Sequence, residues 1–125
     1  MKFALALAAA LLAIPTSVSA QSMTAAEFLA KAEEMIRSGN RASDSPQMRV
    51  LRDAGLAAAN AVRAQQRGDR QAGRPATLCM PEKVGLEAAE FIGHLTSIPR
   101  ERRDVPLVDA FAHFMRIKFP CPARG

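Results

Sequence analysis

Glu90 and His94 stand four residues apart, and so do Asp109 and His113, in two C-terminal stretches whose apolar residues recur at helical spacing. That interval puts a carboxylate and an imidazole on one face of each helix. Brought together, the four side chains would make a two-histidine, two-carboxylate set of the kind that binds a transition metal. The helical wheel argues for a plainer role. At about 100° per residue, His113 points roughly 150° from the centre of the stripe Val108, Ala112, Met115 and Phe119, and His94 lies near the edge of its own stripe. Two surface or border histidines with local ion-pair partners are therefore expected, and no metal, cofactor or catalytic residue is assigned.

Other chemistry leaves little to read. The 125 residues contain no G-x-S-x-G elbow for a serine nucleophile, no P-loop, no G-x-G-x-x-G and no H-E-x-x-H. Twelve Asp and Glu could supply a pair for glycoside chemistry, but nothing singles two of them out, and a small helical domain offers little cleft. The expectation is a non-enzyme.

Cys79 and Cys121 are the only cysteines, and their chemistry depends on compartment. Lys2 precedes an uncharged apolar block from Phe3 to Ile14, Pro15 breaks it, and Ser17-Val18-Ser19-Ala20 supplies the small residues of a signal-peptidase site. Residues 1–20 read as a secretory signal cleaved after Ala20, leaving residues 21–125 as one domain, periplasmic or secreted. A membrane anchor is the rival, but the block reaches only about 18 Å into a hydrocarbon core roughly 30 Å thick. No later stretch is long or apolar enough to cross a bilayer. In an oxidising compartment two cysteines are most simply one disulfide. A reactive or metal-binding pair would need a C-x-x-C spacing or a clustered histidine, and neither is present.

Four helices are expected to carry these groups, giving an all-α, four-helix bundle-like domain. Thr24-Ala25-Ala26-Glu27 is a capping box, Phe28, Leu29, Ala32, Met35 and Ile36 form the first inner stripe, and Gly39-Asn40 stops the helix. Ser45 caps a second helix with Pro46 in its first turn. Its stripe is Val50, Leu51, Ala54, Ala57, Ala58, Ala61 and Val62, with Gly55 allowing a neighbour close approach, and the pattern fades near Gln66 and Gly68. Arg67 to Thr77 reads as a polar connector. A third helix spans roughly Leu86 to Ser97, with Ala88, Phe91, Ile92 and Leu95 inward and Pro99 closing it. Asp104 caps a fourth, with Pro106 in its first turn and Val108, Phe111, Ala112, Met115 and Phe119 inward. No run alternates with period two, so no sheet is expected. The short loop between the third and fourth helices makes them antiparallel. Cys79, at the entry of one, and Cys121, at the exit of the other, then fall at the same end of the hairpin.

The charge is basic, 17 Lys and Arg against 12 Asp and Glu for a formal net charge of +5. Arginine clusters at Arg63, Arg67, Arg70 and Arg74, and again at Arg100, Arg102 and Arg103. Such a surface favours acidic partners and steers them in. Nucleic acid is a poor partner, because export removes its usual targets and the chain has no Trp or Tyr to stack on a base. On the fourth helix, Leu107 and Phe114 lie roughly 100° to one side of the stripe and Ile117 further round. Burial between two neighbouring helices is the plain reading of that flank. The sharper one is that it meets a protein partner or a second copy, with Arg100, Arg102 and Arg103 as its positive rim.

Cys79-Met80-Pro81, then a helix ending Leu95-Thr96-Ser97-Ile98-Pro99, an arginine-containing turn, a second helix and Phe119-Pro120-Cys121-Pro122 occur in that order. This C-terminal stretch resembles the Tai/Rap-like family of periplasmic immunity proteins. The resemblance implies a small, exported, all-helical protein that neutralises a peptidoglycan amidase effector delivered by type VI secretion, with homodimers as an option. Only the cysteine pair carries over as matched residues; the family's further N-terminal cysteines have no counterpart here. The expected function is stoichiometric inhibition by binding. A periplasmic stress chaperone that exposes apolar helix surface at low pH is the alternative.

Overall fold

The Thr24 hydroxyl accepts the Glu27 backbone N–H at 3.1 Å, and the Glu27 carboxylate accepts the Thr24 N–H at 3.3 Å. This reciprocal cap starts α1, Ala25–Arg37. The computed structural model describes residues 23–40, 42 and 44–122, so the expected signal segment and its cleavage site lie outside the described residues. After α1 come α2 (Pro46–Gln71), α3 (Ala88–Ser97), a single 3-10 turn (Arg100–Arg102) and α4 (Leu107–Lys118). No strand occurs among the described residues, and the all-α, four-helix expectation holds.

Both long N-terminal helices end the same way. Gly39 and Gly73 each adopt φ +71°, the left-handed conformation that costs glycine nothing. Behind them, Gly39 N–H reaches the Ile36 carbonyl and Asn40 N–H reaches Met35; Gly73 N–H reaches Arg70 and Arg74 N–H reaches Asp69. These paired bonds are Schellman caps. The operative stop of α2 is therefore Gly73, and the helix runs on through Arg67–Gln71, which the fading apolar stripe had assigned to a connector. Backbone hydrogen bonding and the cap sustain those last turns without an inward apolar residue.

The core draws on every helix: Phe28, Leu29, Ala32 and Met35 of α1, Leu51, Ala54, Ala58 and Val62 of α2, Phe91 and Leu95 of α3, and a wide arc of α4. Phe91 is its aromatic centre, with ring centroids 5.6 Å from Phe28, 5.3 Å from Phe111 and 5.5 Å from Phe114. Five stripe members fall outside it, of which Ala57 and Ala61 are half-buried. Ile36 and Val50 are exposed, and Ala88 is exposed at the first position of α3. Gly55 also departs from expectation, because a Cβ built there meets nothing within 4 Å. Among the described residues no helix approaches that point; the small residues that α2 buries in the core are Ala54 and Ala58.

The entry to α4 is built differently from the expected Asp104 cap. Pro106 is the N-cap residue and no side chain caps the helix. Instead Leu107 N–H donates to the Met23 carbonyl at 2.7 Å and Ala25 N–H donates to the Val105 carbonyl at 3.0 Å. The starts of α1 and α4 thus satisfy each other's orphan donors, which leaves Asp104 exposed in the turn.

Candidate functional site

The Cys79 and Cys121 sulfurs are bonded, with their Cα atoms 4.9 Å apart. Beside the bridge, Cys79 N–H donates to the Phe119 carbonyl at 3.0 Å. Opposite positions of α3 and α4 meet in antiparallel order: Glu90 with Lys118, Phe91 with Phe114, and His94 with His113. The covalent tie therefore closes one end of the hairpin, and the 3-10 turn closes the other.

Of the four side chains that could ligate a metal, the structure brings three to one cleft and sends the fourth elsewhere. His94, Asp109 and His113 line a cleft of about 430 Å³ with Arg102 and Ile117. The imidazole centroids are 5.5 Å apart, and the His94 ring also packs 5.1 Å from Phe114. Glu90 is drawn away by Lys118, 2.5 Å distant across the helix pair. The expected local ion pairs do not form: neither histidine holds one among the described residues. The described residues contain no group of three His, Cys, Asp or Glu placed to hold a metal. His94 Nε2 is buried without a hydrogen-bond partner among the described residues. Burial holds the His94 pKa below its ordinary value, and the neighbouring His113 adds to the effect.

The basic turn divides by role. Arg103 is an internal brace: Nε donates to the Ile98 carbonyl and an Nη to the Thr96 carbonyl, both at 2.8 Å. These bonds serve the last carbonyls of α3, where a cation also meets the negative end of the helix. Arg100 and Arg102 are exposed. Leu107 and Phe114, named as partner contacts beside this rim, are buried in the chain's own core at 2% and 7% exposure. Their burial leaves Ile117, 61% exposed, as the apolar residue of that flank open to a partner.

A second groove, of about 340 Å³, lies against the disulfide between the end of α2, the connector and α4. Arg70, Arg74 and Arg116 converge on it, over a floor that includes Val62, Leu78 and Ala112. The arginine cluster in α2 was legible in the sequence. Its convergence with Arg116 was not, because that depends on how α2 packs along α4, a long-range contact. Arg63, from the same cluster, is committed to structure, donating to the Pro81 and Glu82 carbonyls at 3.2 and 2.9 Å.

Comparison with family models, with curated proteins and with solved structures finds no match to this chain.

Proposed function

We propose that this chain is an exported, non-enzymatic binding protein that inhibits a cell-wall amidase effector by occupying it, in the manner of the Tai/Rap-like immunity proteins that its stretch from Cys79 to Pro122 resembles. The observation that carries the reading is the stapled hairpin: α3 and α4 are pinned at one end by Cys79–Cys121 and at the other by Arg103. A rigid hairpin loses little conformational freedom when it docks, and so retains more of the contact energy as affinity. The motif pieces that carry the resemblance coincide with these pins, Cys79 and Cys121 at the bridge and Pro99 at the turn. A standard interface of about 800 Å² per partner is within reach of such a domain.

The test mixes the oxidised mature protein with exported amidases encoded beside its gene. Stoichiometric inhibition of peptidoglycan hydrolysis, with co-elution on gel filtration, is the expected result. No complex with any of them removes the inhibitor role.

One observation favours the chaperone alternative. His94 lies at the α3–α4 seam with a buried, unpartnered Nε2, so acid loads a charge into an apolar contact and loosens the pair. Light scattering of an aggregating client below pH 6 tests it, and failure to suppress aggregation there removes it.

A further inference from the structure

We propose that the groove beside the disulfide is a docking site for an acidic peptide segment of a protein partner, gripped by Arg70, Arg74 and Arg116. The inference rests on the reading that this chain acts by binding, and it places the contact on a different face from the Arg100–Arg102 turn. Arg74 already holds Asp69 in an ion pair. Arg70 and Arg116 have no carboxylate partner among the described residues, and both are exposed. Two unpaired guanidinium groups from separate elements, α2 and α4, therefore face one groove. Each presents a planar fork that matches a carboxylate.

The rest of the lining selects the class of anion. Val62, Leu78 and Ala112 give the groove an apolar floor, and Gln65 adds an amide at its wall. A peptide offers both carboxylates and apolar side chains to such a surface. A dense polyphosphate offers no apolar side chain to that floor, and Asp69 with the carbonyl end of α2 in the same groove opposes an anion held by charge alone. The volume accepts a short run of side chains, which suits an extended acidic segment or a helix end of a larger partner.

A fluorescein-labelled hexaglutamate peptide, titrated into the oxidised mature protein at low ionic strength, gives the reading by anisotropy. R70E/R116E is expected to weaken binding by at least about tenfold, and R100E/R102E, which changes net charge equally on the far turn, by less than about twofold. Added salt weakens the wild-type complex. All four arginines are exposed, so melting temperatures should match wild type; should R70E/R116E fold poorly, R70Q/R116Q carries the same ordering. Equal losses in both double variants, no binding of the peptide to wild type, or tighter binding of a polyphosphate of equal charge would each overturn the proposal. A protein that binds hexaglutamate through the groove but inhibits no amidase retains this site and loses the amidase role. One that inhibits an amidase unchanged by R70E/R116E retains that role and loses the groove.

Discussion

The imidazole rings of His94 and His113 lie 5.5 Å apart across the seam of α3 and α4. Two protonated imidazoles at that separation repel, and His94 Nε2 has no acceptor to share a proton with. The charged groups facing His94 from α4 and the 3-10 turn are His113, Asp109 and Arg102, and on its own helix Glu90 is held by Lys118. Burial, then the His113 charge, lower the His94 pKa from its ordinary 6.5. The unfolded chain therefore binds the proton more tightly than the folded one. Stability is complete above about pH 6.5, falls as pH drops toward the folded value, and levels off below it. Urea unfolding between pH 7.5 and 5.5 should show this decline, and His94→Phe, which fills the space against Phe114, should flatten it. An equal slope in the variant would assign the decline to other groups.

The disulfide should control stability more than any other single bond. Its partners are 42 residues apart in sequence, and closing such a loop removes about 4 kcal/mol of unfolded-chain entropy. Reduction, or the Cys79→Ser/Cys121→Ser pair, should lower unfolding free energy by about 2–5 kcal/mol. The measurement is urea unfolding with and without reductant. A midpoint shift of less than about 1 kcal/mol would mean the hydrogen bond from Cys79 N–H to Phe119 and the surrounding packing hold the hairpin alone.

Where the sequence was explicit, physical signals acted locally. The Thr24–Glu27 box, the Ser45 cap followed by Pro46, and Gly39 each specify a terminus through contacts within a few residues, and each stands where expected. The antiparallel hairpin followed from the short loop between two apolar stripes, and the positions of the two cysteines agreed with it. What misled was long-range. Asp104 had the chemistry of a cap, but the backbone of Met23, distant in sequence, meets the Leu107 donor first. For Leu107 and Phe114 the plain reading, burial, holds and the partner-contact alternative does not, because α4 packs against three other helices and buries a wide arc that one helical stripe does not show. Arg103 resembled its neighbours in type, and only the fold distinguishes its internal bonds from the solvent-facing Arg100 and Arg102.

Gly55 is a stabilising position left unused. It lies within α2, its φ is not in the left-handed range, and a Cβ there touches nothing within 4 Å. Alanine restricts the unfolded backbone and favours the helix without a clash. Gly55→Ala should add about 0.5–1 kcal/mol to unfolding free energy. A thermal or urea melt decides it, and a loss of stability would reveal a contact at this face that the isolated chain lacks, such as a second copy.

Arg103 provides the sharpest separation of structure from binding within the basic turn. Its guanidinium spans the Ile98 and Thr96 carbonyls at 2.8 Å each, while its own carbonyl accepts the Ala26 N–H at 2.8 Å. Removing the side chain leaves two carbonyls at the end of α3 without their donors, yet leaves the main-chain bond to α1 in place. Arg103→Ala should therefore cost about 1–3 kcal/mol, and it should raise hydrogen exchange most in the last turn of α3. Arg103→Lys should recover only part of that loss, because a single ammonium group does not reproduce the planar fork. Arg100→Ala and Arg102→Ala, made in parallel, should leave stability within about 0.5 kcal/mol of wild type. If all three alanine variants melt alike, the brace contributes nothing, and Arg103 rejoins its neighbours as a surface cation available to a partner.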